Sequence, residues 1–133
     1  MIHLETPDNF SLDEYLNHGS RSVVSLNDRI LIKKDFEKLT TEEQQACLSI
    51  LFAIQPIRES FGKPIYITCG YRSKRHEHSK GRSGNSMHTK YAVDVTCDDM
   101  QGLNAAFGDW QGGYKWYEDR HFIHVDLGRK RRW

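Results

Sequence analysis

The sequence predicts an α+β fold, in which a few short β-strands combine with segregated helices. Runs rich in β-branched and aromatic residues, bounded by turn formers, indicate strands at residues 65–69, 91–96 and 122–127. Apolar residues at helical spacing indicate one long helix that ends near Phe61. The length of 133 residues suits a single domain over residues 1–133, with enough chain to bury a core.

The helices are predicted from their start signals. Ser11 with Glu14 has the pattern of a capping box, which opens a short helix that we expect to stop at Gly19. The long helix is predicted to begin at Thr40 or Thr41, because Glu43 and Gln44 follow as partners for a capping box. A third helix is expected to begin at Asp98.

Two basic segments are predicted to be irregular. Residues 73–85 are polar, basic and punctuated by glycine, which indicates a long mobile loop with solvated His76 and His78. The run Arg129–Arg132 is typical of a solvated tail. Lys and Arg total 19 against 18 Asp and Glu, a formal charge of +1, which argues against a general nucleic-acid binder.

The cysteines and the N-terminus bear on the compartment. Cys47, Cys69 and Cys97 are odd in number and widely spaced, which excludes a complete disulfide framework and predicts reduced thiols. The N-terminus lacks the basic and apolar regions of a signal peptide, and no run has the length of a membrane span. We therefore expect synthesis in the cytoplasm and no membrane insertion.

A possible metal site lies on the second and last predicted strands. Asp94, between Val93 and Val95, is a carboxylate in an apolar strand and needs a partner. Alternation along the strands allows Asp94 and His124 to face one cleft, with His88 entering from the preceding turn. Two imidazoles and one carboxylate leave a fourth position open, as in a catalytic zinc site that activates water for hydrolysis. The alternative is a pair of ordinary hydrogen-bonded histidines, and spacing does not decide between them.

Four motifs occur in a fixed order along the chain: Gly70-Tyr71-Arg72-Ser73, Ser86-x-His88, Ala92-x-Asp94 and Phe122-Ile123-His124-Val125-Asp126. Over residues 7–133 this pattern resembles the M15 family of zinc peptidases. That family includes D-Ala-D-Ala carboxypeptidases and dipeptidases, and phage endolysins that cut L-Ala-D-Glu or related peptidoglycan bonds. The resemblance implies the hedgehog-type fold, a small mixed or antiparallel sheet with helices packed on one face.

The resemblance also implies zinc as the cofactor, with His88, Asp94 and His124 as its ligands. The chain departs from the family pattern His-x-x-Gly-x-Ala-x-Asp at one point. His88 and Asp94 are one residue closer together, and no glycine lies between them. The missing glycine removes an easy left-handed position from the turn. We expect a tighter connection between the two ligands.

Catalytic roles follow from the same resemblance. In a hedgehog-like pattern, the Glu of a Tyr-Glu pair precedes the last histidine by six residues. This pattern identifies Glu118 as the general base. Asp119, His121 and Asp126 remain alternatives for that role. Arg72 corresponds to the family arginine that holds the scissile carbonyl or its oxyanion.

Predicted substrate contacts are Tyr71, Ser86 and His121, although Ser86 equally fits an ordinary turn serine or a residue that orients the first histidine ligand. The resulting hypothesis is a monomeric zinc peptidase that acts on peptidoglycan stem peptides. In this hypothesis it is a phage or prophage lysis protein that a holin-type partner releases to the wall. The alternative is a non-catalytic zinc-binding module of the same fold that binds cell-wall peptide or a protein partner. Nucleic-acid binding through the basic tail ranks third.

Overall fold

The computed structural model describes residues 4–17 and 24–133. The helices are α1 (Leu12–Asn17), α2 (Leu26–Glu37), α3 (Thr41–Phe61), α4 (Lys74–Ser79) and α5 (Met100–Phe107). The strands are β1 (Tyr66–Cys69), β2 (Ala92–Thr96), β3 (Gly113–Tyr117), β4 (Phe122–Asp126) and β5 (Arg131–Arg132). Short 3-10 turns occur at Met87–Thr89 and Glu118–Arg120. The predicted α+β class is confirmed.

The five strands form one mixed sheet in the order β1-β2-β4-β3-β5. Neighbouring strands are antiparallel except β3 and β5, which are parallel. Asp94 of β2 lies directly opposite His124 of β4. Cys69 of β1 pairs with Asp94 on its other side, after a register shift that follows Ile67. The sheet therefore brings side chains from three strands to one point.

The two faces of the sheet differ in character. Val93, Val95, Ile123 and Val125 are fully buried on one face, where they belong to the hydrophobic core. Helix α3 contacts both β2 and α5 on this side. The opposite face displays Asp94 and the other polar residues of β2 and β4. This separation leaves one face for packing and the other for a site.

The predicted helix starts agree with the structure at α1 and α3. Ser11 and Glu14 exchange hydrogen bonds of 3.1 Å between side chain and backbone N–H. Thr40 and Glu43 form the same box at α3, with distances of 2.9 and 3.1 Å. The predicted stop at Gly19 lies outside the described residues. Helix α5 begins one residue later than predicted, since Asp99 provides its cap.

Helices α2 and α4 were missed by the sequence analysis. Only Ile32 and Phe36 of α2 are buried, so its apolar residues make no clear stripe. The prediction of an irregular loop over residues 73–85 is wrong at its start, since Ser73 accepts a hydrogen bond from the N–H of His76 and caps α4. The prediction that His76 is solvated is also wrong, because the helix turns its ring into the protein.

Strands β3 and β5 are the other differences from the sequence prediction. The sequence around Gly113 indicated only turns, yet β3 begins there and pairs along most of β4. The predicted solvated tail ends in a strand, since Arg131 and Arg132 form β5 against Gly113 and Tyr114; Arg132 remains exposed, whereas Arg131 is half-buried. The two charges of β5 have different partners, since Arg131 binds Asp126 and Arg132 lies over the ring of Tyr114.

Cys47, Cys69 and Cys97 are all buried and free, and the expectation of reduced thiols stays a prediction. Within the described ranges, no helix combines the length and the apolar composition that crossing a membrane requires.

The capping box of α3 gives a test of the fold. Thr40→Ala removes a hydrogen bond to an otherwise unpaired helix N–H, and should lower the free energy of unfolding by about 1 kcal/mol. Thr41→Ala, one residue further on, keeps the cap and serves as the control. Chemical denaturation of both variants measures the difference. Equal stability of the two variants would contradict the assigned helix start.

Candidate metal centre and active-site cleft

Three polar side chains meet on the open face of the sheet. Strand pairing sets Asp94 beside His124, and the 3-10 turn before β2 brings His88 to the same place. Nε2 of His88 lies 3.1 Å from Oδ1 of Asp94, and Nδ1 of His124 lies 2.9 Å from the same oxygen. The three residues line a cleft of about 540 Å³. The structure thus brings together the three predicted metal ligands.

The other nitrogen of each imidazole is also held. Nδ1 of His88 donates to the carbonyl oxygen of Gly70 at 2.8 Å. Nε2 of His124 donates to Oδ2 of Asp126 at 2.8 Å. Such outer partners fix the orientation and tautomer of histidines that bind metals. The nitrogens left to face Asp94 are therefore defined by the fold.

Asp126 is a fully buried carboxylate whose partners occupy both of its oxygens. Oδ1 accepts the backbone N–H groups of Gly113 and Gly128 at 3.0 and 2.9 Å. Oδ2 accepts from His124 and from Nη2 of Arg131, the latter at 3.0 Å. A carboxylate bound in this way orients His124. It does not face the cleft, so Asp126 does not suit the role of general base, for which the sequence analysis kept it as an alternative.

The charges of the cluster are strongly coupled. Burial opposes the charged imidazolium of His88, but the Asp94 carboxylate more than offsets it and raises the pKa of His88 to about 10. The pKa of His124 is also raised, since Asp126 and Asp94 outweigh its burial. Burial would raise the pKa of Asp94, yet the two histidines hold it well below its usual range. In the absence of a metal, both imidazoles are therefore favoured in their protonated form.

The types of donor, and the distances of both imidazoles from the Asp94 oxygen, suit zinc. In a tetrahedral site with bonds of about 2.0–2.1 Å, neighbouring ligand atoms are about 3.3 Å apart. The distances of 2.9 and 3.1 Å from the Asp94 oxygen to the two nitrogens are close to that value. Two imidazole nitrogens and a carboxylate oxygen are also ligands that zinc accepts.

Cys69 is a further candidate metal donor, which the sequence analysis treated only as a reduced thiol. Its Sγ lies 3.8 Å from Nδ1 of His88, and one ligand atom from each of Cys69, His88 and Asp94 lies within 4.8 Å of the others. This group is the alternative donor set. The cleft, however, is lined by His124 and not by Cys69, and the His88 nitrogen near the thiol already donates to Gly70. The set with His124 therefore suits an accessible catalytic metal better.

The shortened connection between His88 and Asp94 does not separate them. Ser86 caps the 3-10 turn by accepting the N–H of His88 at 3.2 Å, and the turn ends at Lys90. The imidazole still reaches Asp94, so the missing glycine is not needed to bring the two residues together.

Comparison with known proteins places the chain in a family. The model of the family described as peptidase M15 matches residues 26–126, most of the chain. The chain belongs to the peptidase M15 family. No curated protein matches it. Peptidases of the M15 family are metallopeptidases and are typically zinc-dependent.

In this M15 peptidase, Arg72 lies at the wall of the cleft. Its backbone N–H donates to the carbonyl of His88 at 3.0 Å, and its Nη2 lies 3.4 Å from Oγ of Ser86 and 3.7 Å from the carboxylate of Glu77. Glu77 is fully buried and also binds Arg82 at 2.6 Å. Burial opposes its ionisation, but the two arginines hold its pKa below the ordinary value. Arg72 thus lies beside the histidine turn in the cleft, where a substrate carbonyl could reach it.

Other predicted residues lie away from the cleft. The ring of Tyr71 is buried against Phe36, with centroids 5.2 Å apart, so the structure does not bring it to the site. Glu118 and Asp119 are exposed on the 3-10 turn and are not among the described residues that line the cleft. His121 is directed to the carbonyl of Cys97, at 3.1 Å, and lines a neighbouring cavity.

Several residues of the cleft were not identified from the sequence. Trp133 places its ring 5.6 Å from that of His124, and Arg131 lies 4.4 Å from the Trp133 ring centroid. The spacing His124-x-Asp126 on a strand was the one available signal for an orienting carboxylate, because alternate residues share a face. Nothing local to Arg131 or Glu77 indicated a role at the site.

Metal binding should release protons and strengthen as the pH rises. Metal-bound imidazoles are neutral, so zinc must displace a proton from His88, whose pKa of about 10 keeps it charged at neutral pH, and must compete with the proton that the raised pKa of His124 favours. The apparent zinc affinity should therefore increase between pH 6 and 9 and fall in acid. Calorimetric titration at pH 7 in buffers of different ionisation enthalpy counts the protons released. Zinc uptake without proton release would contradict the assigned ligands.

The orienting role of Asp126 gives a second prediction for the site. Asp126→Asn removes the charge behind His124 and should weaken zinc binding about 10- to 100-fold. Asp119→Asn removes an exposed carboxylate nearby and should leave zinc affinity unchanged. Competition with a chromophoric chelator measures both, and circular dichroism checks the fold. Unchanged affinity in a folded Asp126→Asn protein would show that this carboxylate does not support the metal.

Proposed function

We propose that this chain is a zinc-dependent peptidase that hydrolyses a peptide bond in peptidoglycan stem peptides, as an endolysin-like protein of phage or prophage origin. The convergence of His88, Asp94 and His124 in an open cleft supports the proposal most directly. Membership of the peptidase M15 family supports the reaction class. The wall substrate, the phage origin and release by a holin-type partner rest on the resemblance of the motifs.

The proposed chemistry assigns one role to each group. A zinc ion held by His88, Asp94 and His124 would supply Lewis-acid polarisation of the scissile carbonyl and would acidify the attacking water. Arg72, held by Glu77, would stabilise the negative charge that develops on the carbonyl oxygen. A general base would take a proton from the water and pass it to the leaving amine.

Glu118 remains our proposal for the general base. It lies one residue beyond Tyr117 and two before Arg120, and both of those residues line the cleft. The exposed carboxylate is thus on the segment that borders the site, although it is not part of the described lining. This assignment rests on the resemblance.

The form of the cleft favours an endopeptidase. A second cavity of about 670 Å³ adjoins the first, and the two share Arg72, Asp94, Arg120 and Phe122 in their linings. A peptide can therefore extend on both sides of Asp94. A carboxypeptidase needs room for only one residue beyond the scissile bond, whereas this arrangement accommodates a longer stretch of chain.

The second candidate is a non-catalytic zinc-binding module that holds cell-wall peptide or a protein partner. The observation in its favour is the placement of Glu118 outside the described lining of the cleft. Such a module would retain the metal ligands and the arginines, and would need no base.

Activity measurements separate the two candidates. The native protein should contain about one zinc per chain by elemental analysis and should reduce the turbidity of purified peptidoglycan. Glu118→Ala should keep the zinc, and its rate of lysis should fall by about 10²- to 10⁴-fold, the usual contribution of a positioned acid or base. Asp119→Ala, the adjacent exposed carboxylate, is the control and should lyse normally. Zinc without lysis in the native protein would favour the binding module, and absence of zinc would overturn both.

A further inference from the structure

We propose that Arg129 and Arg120 form a subsite for a free carboxylate of the peptide substrate, beside the predicted metal ligands. This inference rests on the proposed function and specifies the chemistry of the substrate that the site selects. It starts from the charge of the cleft, whose lining contains four arginines: Arg72, Arg120, Arg129 and Arg131.

Two of the four arginines already have carboxylate partners. Arg72 is paired with Glu77, and Arg131 with Asp126, and both carboxylates are fully buried. Arg120 has no carboxylate partner within residues 4–17 and 24–133; its guanidinium lies 5.8 Å from the ring centroid of Tyr117. A guanidinium is charged at every accessible pH. Arg72 and Arg131 thus each have a buried carboxylate partner, and Arg120 has none among the described residues.

Arg129, like Arg120, has no carboxylate partner in the described part of the chain. Its basic neighbours Lys130 and Arg132 have other partners, and neither of them lines the cleft. Lys130 pairs with Asp109 at 2.5 Å, and Arg132 lies over the ring of Tyr114 on the other side of the sheet. Only Arg129 and Arg131 of this run line the cleft. Within the described residues, the basic run therefore places in the cleft one arginine that has no carboxylate partner, Arg129.

The location of these charges identifies the ligand as part of the substrate. Arg120 lines both of the cavities that meet at Asp94, so a peptide that passes the metal ligands also passes this guanidinium. Arg129 lies in the first cavity with His124 and Trp133. A carboxylate is the anionic group that a peptide offers, and guanidinium groups bind carboxylates through paired, charge-assisted hydrogen bonds. Two kinds of carboxylate could occupy the subsite, one on an acidic residue within the peptide and one at its C-terminus.

Three versions of one peptide test the subsite. The parent is L-alanyl-γ-D-glutamyl-L-lysyl-D-alanine, the second version has the glutamyl α-carboxylate as a carboxamide, and the third has the C-terminal carboxylate as a carboxamide. Each is titrated into chelator-treated protein, in which nothing is cut, and kcat/KM is measured with the zinc-loaded protein. The variants are Arg129→Gln and, as a matched control, Lys130→Gln, whose side chain pairs with Asp109 and does not line the cleft.

The native protein should prefer the parent over one of the two amidated peptides by about 10- to 100-fold in Kd, and high salt should reduce this preference. The peptide that loses affinity identifies which carboxylate is bound. Arg129→Gln should remove most of the preference and Lys130→Gln should keep it.

Equal affinity for all three peptides, no binding of any, or a preference that survives in Arg129→Gln would each overturn the subsite. A carboxylate preference that depends on Arg129, with no cleavage by the zinc-loaded native protein, would establish the subsite and refute the proposed peptidase. Cleavage of all three peptides at equal kcat/KM would refute the subsite alone.

Discussion

The pairing of Asp94 with His124 across β2 and β4 is the constraint on which the rest of the site depends. It sets a largely buried carboxylate beside an imidazole on the sheet face that the core does not use. An ionised carboxylate in such a place requires hydrogen-bonded or cationic partners. The turn that carries His88 supplies the second partner. Because both imidazoles already contact one oxygen, a divalent cation can replace their protons without a change in strand pairing.

Two buried carboxylates outside the predicted metal ligands organise the walls of the cleft. Glu77 holds Arg72, and Asp126 holds Arg131 as well as His124. Removing one partner of a buried ion pair leaves an uncompensated charge and costs about 3–5 kcal/mol. Each arginine is therefore fixed in place by the stability of the fold. Fixed charges of this kind stabilise a developing negative charge with little rearrangement, which is the requirement for an oxyanion partner.

The sequence predicted the elements whose signals are local. Strands β1, β2 and β4 and helix α3 have clear periodicity and caps, and the motifs located three side chains that the structure brings together. The missed features are long-range. Asp126 is satisfied by Gly113 and by Arg131, which local patterns do not connect to it. The register shift after Ile67 breaks the alternation of β1, so Cys69 pairs with Asp94 in a way that a count of alternate residues does not predict.

The turn between β3 and β4 has separate consequences for binding and for catalysis. Its end is fixed by His121, which takes a left-handed conformation with φ of 59° and donates from its ring to the carbonyl of Cys97. A non-glycine residue in this region is uncommon and is maintained by its surroundings. The held turn keeps Arg120 at the junction of the two cavities, whereas Glu118 stays exposed. Under the proposed roles, a binding module would need only the arginine, whereas a peptidase would need both charges, so the two candidate functions would depend on different residues of one short turn.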